Sequence, residues 1–405
     1  MPASQERERP KLRKVDSISV QRESEAIIVL RDPLFLCDPI AIDKEYLPVL
    51  RLMDGTRSTA QIRQSVLMRL GLDIDIEDLH QFVHDIGDHG LLEGQTFRDL
   101  WEHTHQRFIE APFRPSMWGN VLYPENSIEL RNMLSHCLPE TADRFVDIDP
   151  VVGLVCPYQA FENCSDIYRS SIRRLPQPKN LDAILILGTD HVSGLTPFSL
   201  VNKSFQTPLG IVSTADRILK RLIERLPWIT REEIRHRSAV SIEMSVILLQ
   251  HIYGEQCPPI IPVLCSQNVG NLAANDQSIE IDQFLAEAEL ILQHHRILTW
   301  ASAELSHVGP AYGTTDHDVS TLKQIANDDV NCLAAISEGR PQLFMERCMN
   351  RSVSLGRPSG TATFATLMQL LPVGYRTSLD VYTAMPHLGP EKGQLGLAAM
   401  RFWNR

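Results

Sequence analysis

The sequence of 405 residues lacks the features that mark several large classes of protein. None of its eight cysteines forms a C-x-x-C pair, which excludes zinc ribbons and thioredoxin-like motifs. No apolar stretch reaches the roughly 18 residues that a membrane-spanning helix needs, and no apolar segment follows the early charges as in a secretory signal. We therefore expect a cytoplasmic protein with reduced thiols and no membrane partner.

An excess of positive charge is missing as well. The chain has 39 lysines and arginines against 50 acidic residues, for a net charge of -11. A field of this sign repels phosphate backbones, so we expect no nucleic-acid partner. The composition, 43% hydrophobic and 22% charged, is typical of globular proteins. A chain of this length exceeds one core of ordinary size, which predicts two domains.

The region before residue 113 is predicted to hold a small separate module. Residues 1–23 carry a basic run and are interpreted as a flexible, solvated tail. Residues 24–94 contain a short strand and three helices divided by glycine turns, and Ser58 and Gln61 have the spacing of a capping box. This α+β unit resembles the winged-helix-like PqqD family, which implies a peptide- or protein-docking module; a packing appendage is the alternative. Residues 95–112 are predicted to be a helical linker.

Residues 113–405 alternate apolar runs with helical patterns. The runs at 151–155, 183–187, 260–264 and 297–301 do not alternate with polar residues, which favours strands buried on both faces. Helical periodicity lies between them. The pattern predicts an α/β fold in which helices sandwich a central, largely parallel sheet. In such sheets ligands bind beyond the carboxyl ends of the strands.

The residues that follow these runs carry the functional interpretation. Tyr158 follows the first run, His191 the second, and Glu304 and His307 the fourth. They belong to a series of short segments that resembles the Memo family, also named AmmeMemoRadiSam system protein B. The matching segments, in the family's order, are residues 115–124, 153–161, 187–191, 207–210, 241–244, 302–309 and 356–358. This resemblance implies the fold of the class III extradiol ring-cleavage dioxygenases.

The same resemblance implies a damaged metal site. The family's ligands are a histidine, a second histidine and a cysteine, and the matching positions here hold Tyr158, His191 and Leu355. Val240 replaces a further family histidine. Leucine has no lone pair, and a transition-metal site usually needs three protein ligands. We therefore expect a degenerate site without a cofactor, in which His191 is the only retained family ligand.

Three interpretations of the remaining polar residues stay open. His191, Glu304 and His307 could form a two-histidine, one-carboxylate set that binds iron or copper weakly. They could instead be cleft residues bonded to each other or to water. A third possibility is a metal-free acid/base pair, with Glu304 orienting His307.

A ligand-binding cleft is predicted around Tyr158, His191, Glu243 and Arg357. Arg357 could hold an anion as a two-pronged donor, or pair with Glu243 or Glu304 inside the cleft. These interpretations give two functions. The first is a ligand- or partner-binding protein without catalysis, and the second is a dioxygenase-like, metal-dependent oxidoreductase. The family name implies radical-SAM and Amme-domain proteins as partners.

Overall fold

The computed structural model describes residues 8–22, 25–192, 194–266, 277–312, 314–351, 355–388 and 392–405. The chain divides into two compact units, and the boundary lies between Ala111 and Pro112. Each unit has a hydrophobic core of its own, as expected for a chain of this length. Over the described ranges, no helix has the length and apolar character needed to cross a membrane.

The first unit combines a three-stranded antiparallel sheet with helices. Its elements are β1 (Asp16–Arg22), β2 (Glu25–Arg31), β3 (Ile40–Ile42), α1 (Leu47–Leu52), α2 (Thr59–Leu70), α3 (Ile76–Asp88) and α4 (Gln95–Glu110). The capping box predicted for α2 is confirmed, because Ser58 and Gln61 bond each other's backbone amides through their side chains. Helix α2 ends at Gly71, whose φ of 68° is the left-handed conformation that glycine adopts readily.

Residues 10–22 are not the flexible tail that their basic run predicts. The amide of Leu12 donates to the Met53 carbonyl at 2.9 Å, and β1 pairs with β2 along its length. The Arg13 guanidinium bonds the Asp32 carboxylate at 2.6 Å, and both side chains are nearly inaccessible to solvent. A buried partner neutralises this arginine, so its charge does not indicate a solvated segment.

Helix α4 covers most of the predicted linker, residues 95–112, but it belongs to the first unit. Phe108 is buried, and the Arg13 guanidinium lies 3.6 Å from the centre of the Phe97 ring. Leu100 lies against Gly90, where a side chain would collide with it. Phe108 is the one buried residue of this helix, and most of its other positions are exposed to solvent.

The second unit is built around an eight-stranded sheet. The strands of this unit are β4 (Phe113–Pro115), β5 (Phe145–Val146), β6 (Gly153–Cys156), β7 (Leu175–Pro176), β8 (Ala183–Asp190), β9 (Phe198–Leu200), β10 (Ser204–Thr207), β11 (Gly210–Val212), β12 (Ile260–Ser266), β13 (Ile297–Ser302), β14 (His307–Val308), β15 (Arg376–Pro386) and β16 (Gln394–Trp403). Its α-helices are α5 (Ser127–Cys137), α6 (Ser165–Ser171), α7 (Asp216–Arg225), α8 (Val240–Tyr253), α9 (Gln277–His294), α10 (Val319–Ser337), α11 (Pro341–Met349) and α12 (Thr361–Leu370).

The centre of the large sheet is parallel and its flanks are antiparallel. The strand order is β14-β16-β6-β13-β8-β12-β9, and β15 also pairs with β16. The four apolar runs of the sequence form β6, β13, β8 and β12, which lie side by side and parallel. The flanking pairs, including β16 with β6 and β12 with β9, are antiparallel. The mixed character of the sheet was not predicted.

Helices cover both faces of this sheet, as the absence of alternation in its strands predicts. A side chain at Gly188 would collide with Ile242 of α8, so α8 packs closely on one face. The neighbouring Leu187 points the opposite way and shares a buried cluster with Phe364 and Leu367 of α12. The predicted α/β fold, with helices on both sides of a central sheet, is therefore confirmed.

Candidate functional site

The predicted site residues gather at the carboxyl edge of the parallel strands. In the aligned register, Cys156 of β6, Gly188 of β8 and Ser302 of β13 are neighbours across the sheet. Tyr158 and His191 follow the first two strands directly, and Glu304 follows the third. Because parallel strands end at the same edge, three segments distant in sequence meet in one place.

Tyr158 and His191 are in direct contact. The Tyr158 hydroxyl lies 2.9 Å from Nε2 of His191, and the two rings meet edge-on with centroids 5.6 Å apart. The Ser359 hydroxyl lies 3.3 Å from the same phenol oxygen. Tyr158 is buried, whereas His191 is exposed. Burial, helped by the negative charge of Glu304, holds the pKa of Tyr158 well above its usual value, so the phenol keeps its proton.

Glu304 is fully buried beneath this contact. Its carboxylate accepts bonds from the Tyr158 backbone amide at 3.0 Å and from the Gln159 side-chain amide at 2.9 Å. Nε2 of His307 lies 3.1 Å from Oε2, the same carboxylate oxygen that accepts the 2.9 Å bond from Gln159. Glu304 therefore ties the loop after β6 to the loop after β13, and its lone pairs are used inside the protein.

His307 continues the cluster toward the surface. Its Nδ1 lies 3.2 Å from the Leu305 carbonyl, while its Nε2 faces the Glu304 carboxylate. Both partners are acceptors, so the tautomer of His307 decides which of them receives its N–H. The His307 ring also meets Tyr312 edge-on at 4.9 Å, and Tyr312 meets His387 in the same way at 5.3 Å.

Glu243 has a different role from the predicted one. It is fully buried, and its carboxylate bonds the Arg114 guanidinium and the Tyr123 hydroxyl. The backbone amides of Met117 and Trp118 donate to it at 3.0 and 2.9 Å. The family-like segment 115–124 thus wraps around this glutamate. With both oxygens occupied by donors from that segment, Glu243 holds the chain in place and is not available to a ligand.

Arg357 also differs from its predicted alternatives. Its side chain is exposed, and its Nε donates to the Arg351 carbonyl at 3.3 Å. In the described parts of the chain, no ion pair joins it to Glu243 or Glu304, whose partners are other residues. Its guanidinium instead bonds the backbone of the preceding segment. Leu355, at the position of the family's cysteine, is partly buried.

Several residues that shape the site were not predicted. Arg235 is buried and bonds the Asp190 carboxylate and the Thr196 hydroxyl, the latter at 2.6 Å. Asp190 in turn accepts from the Val192 amide at 2.9 Å, which fixes the loop that carries His191. Arg235 lies in a charged stretch, and nothing in its spacing indicates a buried ion pair. Gln159 and Ser359 lie inside recognised segments, but their partners depend on the tertiary structure.

The donor set does not fit the metal ion that the family resemblance implies. The matching positions are a protonated phenol, an imidazole bonded to that phenol and an aliphatic side chain. Within the described residues, no group of three His, Cys, Asp or Glu side chains could hold one ion, so His191, Glu304 and His307 do not converge as a ligand set. Tyr158 occupies the Nε2 side of His191, and Glu304 and His307 bond each other.

These features define an α/β protein with a hydrogen-bonded polar cluster at the carboxyl edge of a mixed sheet. A family model described as "Memo-like protein" matches residues 114–383, more than half of the chain. The chain therefore belongs to the Memo-like protein family, as the resemblance predicted.

Relatives with the same family name come from bacteria and archaea. A MEMO1 family protein of Aquifex aeolicus is 23% identical over 93% of this chain and 96% of its own length. The part of this chain outside the alignment is much shorter than the first unit, so most of that unit is matched as well. A Methanocaldococcus jannaschii MEMO1 family protein is 24% identical over 69% of this chain and 89% of its own. A solved Escherichia coli K12 structure, of the uncharacterized protein JW3007, is 11% identical with a TM-score of 0.37 and covers 62% of this chain and 98% of that one.

Proposed function

We propose that this Memo-family protein binds a small polar ligand at the carboxyl edge of its sheet, without catalysis and without a resident metal ion. The observation that supports this proposal most directly is the bond between the Tyr158 hydroxyl and Nε2 of His191. The exposed His191 and the partly exposed Ser359 offer hydrogen-bond donors and acceptors to such a ligand.

Two physical arguments disfavour a metal ion at the family positions. A tyrosine ligates a metal as the phenolate, and the raised pKa of Tyr158 opposes loss of its proton. Leu355 has no donor atom, so at most one ordinary ligand, His191, remains. A single imidazole does not retain a divalent ion through desalting, because structural and catalytic sites use three or four ligands.

The test is to restore the missing ligands. The purified protein is incubated with ferrous iron, zinc or copper, desalted, and analysed for bound metal. We expect less than one tenth of an equivalent in the unaltered protein. Changing Tyr158→His together with Leu355→Cys should raise retention to about one equivalent, because three ligands of the family type are then available.

Two controls separate specific sites from adventitious binding. Tyr158→Phe removes the hydroxyl without adding a ligand, and it should not increase metal retention. Adding His191→Ala to the restored variant should abolish its retention. Stoichiometric metal in the unaltered protein, lost in His191→Ala, would overturn the proposal.

The second candidate function is a dioxygenase-like oxidoreductase that uses His191, Glu304 and His307. It is favoured by one observation, the approach of His307 to the Glu304 carboxylate at 3.1 Å. It also requires His191 to leave Tyr158 and approach that pair. Oxygen consumption with a catechol after iron loading, lost in both His307→Ala and His191→Ala, would favour this candidate over the first.

Partners of the first unit remain a prediction from resemblance. The PqqD-like interpretation of residues 24–94 and the family association with radical-SAM and Amme-domain proteins suggest that this unit binds a peptide or protein. Binding of the full-length chain to purified members of those classes tests the idea. Unchanged binding after charge-reversing substitutions at exposed positions of α2 would count against a docking role for that helix.

A further inference from the structure

Two buried cysteines lie against each other away from the cleft. Cys332 belongs to α10 and Cys348 to α11, and their sulfur atoms are 3.7 Å apart. Both side chains are fully buried. In a disulfide the sulfur atoms are about 2.05 Å apart, so the two sulfurs would have to approach each other by about 1.7 Å to form the bond.

The two sulfurs have different surroundings. The Arg351 guanidinium lies 3.7 Å from Cys332 Sγ and also bonds the Asp329 carboxylate at 2.7 Å. A hydrogen bond from the Cys348 thiol, helped by the charge of Arg351, lowers the pKa of Cys332. The same contact, together with burial, raises the pKa of Cys348. Cys332 is thus suited to react as the thiolate, and Cys348 remains the protonated partner.

We propose that Cys332 and Cys348 are a reversible disulfide site that responds to hydroperoxides. The Cys332 thiolate attacks hydrogen peroxide, the O–O bond breaks, and a sulfenic acid and hydroxide form. Cys348 then attacks the sulfenic sulfur, the S–O bond breaks, and the disulfide forms with loss of water. Overall two thiols and one hydrogen peroxide give one disulfide and two waters, and a dithiol such as dithiothreitol reverses the oxidation.

The oxidation state of this pair is connected to the cleft through Arg351. Besides Cys332 and Asp329, the Arg351 guanidinium bonds the Ser306 hydroxyl. Ser306 lies between Leu305 and His307, and its hydroxyl also bonds Asp329 at 2.6 Å. A disulfide removes the thiolate that the Arg351 guanidinium faces in this network. The disulfide proposal does not depend on the ligand-binding function.

The experiment uses the reduced full-length protein and compares the peroxide doses at which its different cysteines are oxidised. Graded hydrogen peroxide is followed by alkylation in denaturant and by mass spectrometry of a non-reduced digest. We expect a cross-linked peptide containing Cys332 and Cys348, reversed by dithiothreitol. It should form at a several-fold lower peroxide dose than oxidation of the more accessible Cys37 and Cys257. Burial raises the pKa of these two thiols, to about 11 and about 12, which makes them slow to react.

Two further measurements decide the outcome. Cys348→Ser should abolish the cross-link and leave a sulfenic acid on Cys332 that dimedone traps. Oxidation of the unaltered protein should raise its thermal midpoint, because the cross-link restricts the unfolded chain, and reduction should restore it. Oxidation of Cys37 or Cys257 before the pair, or over-oxidation of Cys332 without a cross-link, would overturn the proposal.

Discussion

Two fully buried glutamates of the second unit, Glu243 and Glu304, are bonded by different kinds of donor. The charge of Glu243 is neutralised by Arg114, which keeps its own charge at any ordinary pH. The Glu243 carboxylate also accepts hydrogen bonds from the backbone amides of Met117 and Trp118. Glu304 is bonded by amides and by His307, a group that can gain or lose a proton. A carboxylate with a permanent cation serves the structure, whereas one with a titratable partner beside exposed polar groups can serve a ligand.

The comparison is tested most severely by removing each carboxylate charge. Glu243→Gln should reduce the free energy of unfolding by about 3–5 kcal/mol, because it leaves the buried Arg114 guanidinium without a counter-charge. Glu304→Gln should cost only about 1–3 kcal/mol, because its partners are amides and an imidazole that can remain neutral. Urea-induced unfolding of both variants at pH 7 measures the difference.

The matched control is the exposed Glu338, which forms only a surface ion pair. Glu338→Gln should change the free energy of unfolding by less than about 1 kcal/mol. Equal losses for Glu243→Gln and Glu304→Gln would remove the distinction between a structural and a functional carboxylate. In that case Glu304 would be better described as a second structural anchor.

The next effect depends on pH and concerns His236, which belongs to the Glu243 region because its carbonyl accepts from Arg114 Nε at 2.9 Å. Burial lowers the pKa of His236 to about 3; its bond to the Ser199 carbonyl opposes this shift, and the charges of Arg235 and Arg114 add to it. In the unfolded chain His236 therefore takes up a proton near pH 6.5, whereas in the folded chain it remains unprotonated at that pH. The resulting stability is complete above that pH and is lost as the pH falls toward 3.

Between pH 7 and pH 5 we expect this histidine to reduce the free energy of unfolding by about 2 kcal/mol. His236→Gln places an amide N–H where Nε2 bonds the Ser199 carbonyl but does not titrate, so its urea-induced unfolding should depend less on pH over the same range. Subtracting the two profiles removes the contribution of His251, whose pKa burial also lowers. Parallel profiles for the two proteins would show that the protonation of His236 does not limit stability.

The fold was predictable where the sequence signal is local. The four central strands are continuous apolar runs, and a run buried on both faces needs no tertiary information to be recognised. The closing hairpin of β15 and β16 was missed, although β16 is almost entirely buried. Its apolar run, residues 395–400, includes Gly396 and two alanines and has no β-branched residue, so it lacks the composition that indicates a strand.

The site was predictable only as far as the strand ends. The rule that ligands lie beyond parallel strands placed Tyr158, His191 and Glu304 together, whereas Glu243 was predicted to face the cleft only because its segment resembles the family. Glu243 does not face the cleft, because the backbone amides of Met117 and Trp118 donate to its carboxylate. Such a contact joins residues about 125 positions apart, and no periodicity in the sequence encodes it.

The smallest expected effect compares the two buried tyrosine hydroxyls. Tyr123→Phe should cost about 1.5–3 kcal/mol, because its hydroxyl donates to the charged Glu243. Tyr158→Phe should cost about 0.5–1.5 kcal/mol, because its partner, the exposed His191, can bond water instead. Freed of the phenol, His191 should react faster with diethyl pyrocarbonate in Tyr158→Phe, whereas Tyr123→Phe should leave that rate unchanged. Equal rates in the two variants would mean that the Tyr158 hydroxyl does not control access to His191 Nε2.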